Sequence, residues 1–127
     1  MKNYLLVFLG SALGGVSRYF ISNLVFLFLP PSFPFGTLAV NIIGSLLLGF
    51  TIFLFELGPL SNTGIRIFLT VGFCGGLTTF STFSLETVNL LRNSEYLFAS
   101  LNILANVLLS IIALIAAYYI VKLIYGV

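Results

Sequence analysis

The run Gly72-Phe73-Cys74-Gly75-Gly76-Leu77-Thr78-Thr79-Phe80-Ser81-Thr82-Phe83-Ser84 concentrates the residues that can do chemistry in this chain. It holds three glycines, a cluster of hydroxyls and two phenylalanines three residues apart, Phe80 and Phe83. It also lies inside an apolar segment long enough to cross a bilayer. Lipid offers no partners to backbone N–H and C=O groups, so a helix that breaks there must commit the freed groups, usually to an ion or a substrate. A helix that ends near Gly75 exposes carbonyls, which suit a hard cation such as sodium. One that restarts near Thr79 exposes N–H groups, which suit an anion.

Other polar residues fall at spacings that support the same reading. Asn41 and Ser45 stand four apart, on one helix face, and Asn102, Asn106 and Ser110 form an i, i+4, i+8 ladder. Thr78, Ser81 and Ser84 repeat at three, and Thr79, Thr82 and Glu86 make a second stripe. Hydroxyls and carboxamides supply hydrogen-bond donors without net charge. A small, strongly hydrated anion needs such donors when it sheds water. Single Ser, Thr or Asn residues are as readily interhelical glue, worth about 0.6–2 kcal/mol each, so it is the aligned set that argues for a conduction path. Phe80 and Phe83 fall on the same face as that path. Two phenylalanines at this spacing are, taken alone, more often core or lipid-facing, but ring edges are positive and can face an anion.

Two charges lie within apolar segments. Arg18 faces an aqueous vestibule, where it can concentrate anions, or a carboxylate; the plainer alternative is a snorkelling side chain. Glu86 is the only acid well inside a span and is the candidate partner. Cys74 reads as a small packing residue. Neither glycine-rich run is a phosphate loop, because no Lys follows the glycines.

The elements that must position these residues are set by composition. Of 127 residues, 60% are hydrophobic and only 6% charged, against roughly 25% charged in soluble domains. Mean hydropathy is +1.21. Too little polar surface remains to cover a globule in water, so the solvent is lipid. There is no His and one Cys, which excludes zinc sites and Cys–His nucleophiles within one subunit and argues against an enzyme. A net charge of +2 is no footprint for nucleic acid.

Four segments reach the length of about 20 apolar residues that a spanning helix needs. They run from Tyr4 to Leu29, Phe35 to Phe55, Gly64 to Leu91 and Tyr96 to Ile124. Pro30, Pro31 and Pro34 make the first connection short and stiff. Glu56, Gly58, Pro59, Ser61 and Asn62 form a turn, and Arg92, Asn93, Ser94 and Glu95 the next loop. The N-terminus resembles a signal peptide, but apolar residues continue past Gly15 through Leu29, which favours a retained helix. Four spans place both termini on one side. The Lys and Arg bias is at most about two charges. It permits insertion in both orientations, and hence an antiparallel dimer, as well as one fixed topology. Gly10 and Gly14 make a GxxxG pair and Ser45 and Gly49 repeat its spacing, for packing within the bundle or at a dimer seam.

Gly14-Gly15-Val16-Ser17-Arg18-Tyr19, Gly36-Thr37-Leu38-Ala39-Val40-Asn41 and the Gly72–Ser84 run resemble, in order and over the whole chain, the Fluc (CrcB-type) fluoride channels of microbes. The resemblance implies an all-α integral membrane protein with four transmembrane helices, the third broken mid-membrane. It implies one channel domain over residues 1–127 and an antiparallel, dual-topology homodimer with two pores. It implies passive, fluoride-selective exit from the cytoplasm across the cell inner (plasma) membrane. On this likeness Phe80 and Phe83 present ring edges to fluoride, and Asn41 is the vestibule asparagine. Ser81, Thr82, Ser84 and Glu86 carry the hydroxyl track and its acid, and Arg18 matches the first-span arginine. A central sodium ion is held by the Gly75 and Thr78 carbonyls of both subunits. Fourth-span pore positions vary within that family, some members carrying His or Tyr; this chain offers Asn102, Asn106 and Ser110. Two other classes share the size. A proton-coupled exporter of the small multidrug resistance type needs an acid in the first span, and none is present. A structural subunit without transport explains the small-residue packing but not the aligned polar and Phe sets.

Overall fold

Four helical stretches are long and apolar enough to cross a membrane: Lys2–Phe26, Phe35–Leu57, Thr63–Arg92 and Tyr96–Tyr125. They come from a computed structural model that describes residues 1–58 and 60–126; no strand occurs among these residues. The first, second and fourth spans are unbroken helices of 25, 23 and 30 residues. Their outer faces carry Phe8, Val16, Leu104, Leu108 and Ile112 in the open, as helices do when lipid is the solvent. The protein is a multi-pass membrane protein.

The first helix stops at Phe26, three residues before the expected Leu29. The amides of Leu27, Phe28 and Leu29 fold back onto the carbonyls of Leu24 and Val25 in a closing turn. Leu29 precedes Pro30, and a residue before proline is pushed out of the helical region. The second helix begins at Phe35, directly after Pro34. In the connection to the third span, Asn62 caps the new helix by accepting from the Ile65 amide at 3.1 Å; Pro59, expected in this turn, lies outside the described residues. The third span ends in a Schellman turn, with Ser94 N–H on Leu91 O at 3.0 Å and Glu95 N–H on Leu90 O at 2.9 Å. Ser94 takes the left-handed conformation that this turn requires, at φ 60°.

Small residues decide which helices touch. Gly10 and Gly14 lie against Gly72 and Gly76 of the third span: a Cβ on Gly72 would stand 2.9 Å from the Gly10 Cα, and one on Gly76 2.9 Å from the Ser11 Cα. The GxxxG pair of the first helix is thus an internal seam, matched by a second pair four residues apart. Gly49 lies on the fourth helix at Ala117, where a Cβ would come within 2.7 Å of the Ala117 Cβ. Val40, Ala113, Ala117 and Val121 are buried along this contact between the second and fourth helices.

The third span is not one helix. After Thr63–Ile67 the winding widens to a π-helix over Phe68–Cys74, then tightens again over Gly75–Leu77. Thr78 (φ −81°, ψ 157°) and Thr79 (φ −151°, ψ 120°) are extended, and helix resumes at Phe80–Arg92. The helix therefore ends at Leu77, two residues beyond the expected Gly75, which is itself helical. Thr79 caps the restarted helix, its Oγ1 accepting from the Thr82 amide at 3.2 Å.

Candidate functional site

Breaking a helix frees backbone groups, and the second helix supplies partners for some of them. Asn41 meets Thr79 at both ends of its amide. Its Oδ1 accepts from the Thr79 N–H at 2.8 Å, and its Nδ2 donates to the Thr79 carbonyl at 3.2 Å. The same Nδ2 donates to Asn106 Oδ1 of the fourth helix at 2.9 Å. A side chain is thus substituting for a strand partner at the one extended point of the span. Gly44, one turn further along the second helix, makes room: a Cβ there would run into the Thr78 methyl.

Four carbonyls, those of Gly75, Gly76, Leu77 and Thr78, lose their helical donors at the break. The Thr79 amide, which would bond the Gly75 carbonyl, is taken by Asn41. The Thr82 amide, which would bond the Thr78 carbonyl, is taken by the Thr79 hydroxyl. Of the four, the Gly75 and Thr78 carbonyls are the two that the resemblance assigns to sodium. Oxygen donors left open in an apolar span are the chemistry a hard cation seeks.

Beside the break lies an open-sided groove of about 360 Å³, lined by Asn41, Ser45, Leu48, Thr78, Thr79, Phe80, Phe83, Asn106, Val107, Ser110 and Ile111. It brings together five of the expected pore residues: Phe80, Phe83, Asn41, Asn106 and Ser110. The two rings stand 5.4 Å apart between centroids, tilted by 54°. Phe83 is 8% exposed and Phe80 78%, so a single copy covers only one ring of the pair.

The remaining expected residues do not line the groove. Ser81 and Thr82 are exposed, and their hydroxyls gather on Thr79 Oγ1 at 3.4 and 3.0 Å. Ser84 turns its hydroxyl back to the Phe80 carbonyl at 2.9 Å. The stripes expected at helical spacing, Thr78–Ser81–Ser84 and Thr79–Thr82–Glu86, cannot persist across the two extended residues. Glu86 does not pair with Arg18: its Oε1 accepts from Thr37 at 2.7 Å, and its Oε2 is buried without a partner among the described residues. Arg18 is half-buried on the first helix. Thr37 and Thr87 were not singled out by spacing, and Thr79 was placed in a stripe, not as a cap. Thr79 carried a readable signal, a hydroxyl three residues before the Thr82 amide that it caps; Thr37 and Thr87 carried none, since their partners come from tertiary packing.

The fourth-helix ladder divides in two. Asn106 and Ser110 line the groove, whereas Asn102 is fully buried behind it. Asn106 Nδ2 donates to Asn102 Oδ1 at 2.9 Å and to the Asn102 carbonyl at 3.0 Å. Asn102 Nδ2 donates to Thr87 Oγ1 at 2.9 Å, and Thr87 donates to the Phe83 carbonyl at 2.8 Å.

Four membrane-spanning helices with a break clamped by a second-helix asparagine define a small polytopic membrane protein with a polar site inside its bundle. Residues 5–118 match the family model described as "CrcB-like protein, Camphor Resistance (CrcB)", and the chain belongs to that family. It is 49% identical over 111 residues to the fluoride-specific ion channel FluC of Pyrococcus abyssi, covering 87% of this chain and 89% of the relative. A FluC of Coxiella burnetii is 52% identical over 111 residues, covering 86% and 89%. One from Pelobacter propionicus is 46% identical over 112 residues, covering 88% and 87%.

Proposed function

We propose that this protein is a fluoride-selective ion channel, not an enzyme, through which cytoplasmic fluoride leaves passively down its gradient. The observation that carries the reading is the convergence of the Phe80 and Phe83 rings with Ser110, Asn41 and Asn106 on one groove at the helix break. It is supported by membership of a family whose relatives bear the fluoride-channel name. Fluoride is small and loses water reluctantly. Ring edges and neutral donors replace part of its shell without holding it too tightly to leave, and a larger anion such as chloride fits less well. Because the Asn41 and Asn106 amides are committed to protein partners, the hydroxyls of Ser45 and Ser110 are the nearest adaptable donors in the groove.

In this reading residues 1–127 form one channel domain, with the break of the third span at mid-membrane. The working unit is an antiparallel, dual-topology homodimer in the cell inner (plasma) membrane. One copy leaves Phe80, Ser81 and Thr82 exposed and the groove open on a side. A second copy closes the groove and converts the Ser81–Thr82–Ser84 hydroxyls into a lining, with Arg18 and Glu86 at the vestibules. The Gly75 and Thr78 carbonyls, without helical donors, would hold a structural sodium ion at the dimer centre. Such an ion supplies positive charge that holds the broken ends in place.

The test is fluoride efflux from liposomes holding the purified protein. Phe80→Ile and Phe83→Ile are expected to slow efflux by roughly tenfold or more while assembly is retained, because the polar ring edges are lost and the apolar volume is largely kept. Undiminished efflux in both variants sinks the role given to the rings.

A further inference from the structure

The amides of Asn41, Asn106 and Asn102 form one chain with the Thr87 hydroxyl, and both ends of that chain are backbone groups of the third span. At one end the Thr79 N–H can only donate; at the other the Phe83 carbonyl can only accept. Between these ends every link has one allowed direction. Thr87 gives its proton to Phe83 O at 2.8 Å, so its oxygen must accept, and Asn102 Nδ2 donates to it at 2.9 Å. That turns Asn102 Oδ1 toward Asn106 Nδ2, at 2.9 Å. It leaves Asn106 Oδ1 to accept from Asn41 Nδ2 at 2.9 Å, and Asn41 Oδ1 to accept from Thr79 N–H at 2.8 Å. The strap leaves the third span at the break, crosses the second and fourth helices and returns to the third span one turn past the break.

We infer that Asn102, buried behind the groove and not lining it, is a positioning residue that anchors this strap to the Thr87–Phe83 end and so steadies Asn41 on the Thr79 backbone. Asn102 is 0% exposed and is the only link that joins the groove-facing amides to the Thr87–Phe83 end. Without it, Asn106 loses one of its two acceptors and keeps only the Asn102 main-chain carbonyl. The Asn106 amide is then held at one point instead of two, its bond to Asn41 slackens, and the clamp on the break loosens. Directional networks of this kind are lost as a unit rather than bond by bond. The inference rests on the fluoride-channel reading for its effect on transport, but not for its effect on the clamp.

The experiment pairs two readouts on the full-length protein: side-chain amide NMR signals of asparagine-labelled protein in lipid, and fluoride efflux from liposomes. Asn102→Leu is expected to move the Asn41 side-chain amide signals and speed their hydrogen exchange, although the two residues share no hydrogen bond. It is expected to slow efflux by roughly tenfold. Thr87→Val cuts the strap at the next link and is expected to do the same, whereas Thr87→Ser keeps the hydroxyl and restores the wild-type signals and rate. Asn41 signals that stay in place in Thr87→Val overturn the inference, even if Asn102→Leu fails to assemble. A wild type without efflux, but with Asn41 signals that move in the variants, sinks the fluoride reading and upholds the strap. A conducting wild type matched in rate and signals by both variants sinks the strap alone.

Discussion

Asn41 uses every polar atom of its side chain on the protein: two bonds to Thr79 and one to Asn106. Its contribution to the groove is therefore geometric before it is electrostatic. Replacing it by Asp keeps the acceptor for the Thr79 amide but leaves the Thr79 carbonyl and Asn106 Oδ1 facing a negative oxygen. Leaving buried acceptors without donors costs about 1–3 kcal/mol, and the new charge also repels anions at the groove. We expect Asn41→Asp to slow fluoride efflux at matched reconstitution by tenfold or more, as about 1.4 kcal/mol corresponds to that factor; an unchanged rate would remove Asn41 from the account. At this scale the sequence was informative where residue type alone carries the message. Asparagines and phenylalanines inside an apolar span point to a site, and four of those named share one groove. It was uninformative about partners. Asn41 and Thr79 are 38 positions apart, and no periodicity connects them. Glu86 was set against Arg18 because opposite charges in lipid should meet, yet the helices bring it to Thr37.

The elements show why the third span bends where it does. Hydrophobic length located all four spans, and turn residues located their ends to within a few positions. The glycines suggested a break near Gly75, but two of the three serve packing. Gly72 and Gly76 receive the first helix, and the chain stays helical to Leu77. The break instead falls at two β-branched threonines, the second of which caps the next helix. The π-helical turn at Phe68–Cys74 left no mark in the sequence. The seam between the first and third spans makes a sharp prediction. A methyl at Gly14 would be driven into the Phe73 carbonyl and the Leu77 backbone amide, both main-chain atoms, whereas a methyl at the adjacent Gly15 meets nothing within 4 Å. Gly14→Ala should cost about 1–3 kcal/mol, the usual penalty for overpacking. Gly15→Ala should leave stability unchanged or slightly raised. Thermal unfolding of the two detergent-solubilised variants, read beside wild type, checks this; equal melting temperatures would mean the seam is not as tight as described.

Across the whole molecule the decisive feature is incompleteness. Phe80 and the hydroxyls beside it are exposed, the groove is open-sided, and four carbonyls at the break lack helical donors. In the antiparallel dimer proposed above, a second copy would cover all three, and the weak charge bias of the loops permits that orientation. In a Cys74→Ser background, a cysteine placed at the exposed Asn93 loop should be labelled by a membrane-impermeant thiol reagent to about half its total from either side of the bilayer. Labelling from one side only would contradict dual topology. Neither the oligomer nor its orientation can be read from spans and turns, because both depend on small differences among five basic residues. The central claim is narrower and can be tested directly by measuring fluoride efflux from liposomes holding the purified protein, with a fluoride electrode and a matched chloride control. The account predicts rapid fluoride release with no chloride release above that of empty liposomes. Silence for both ions from folded protein, or equal release of the two, would contradict it.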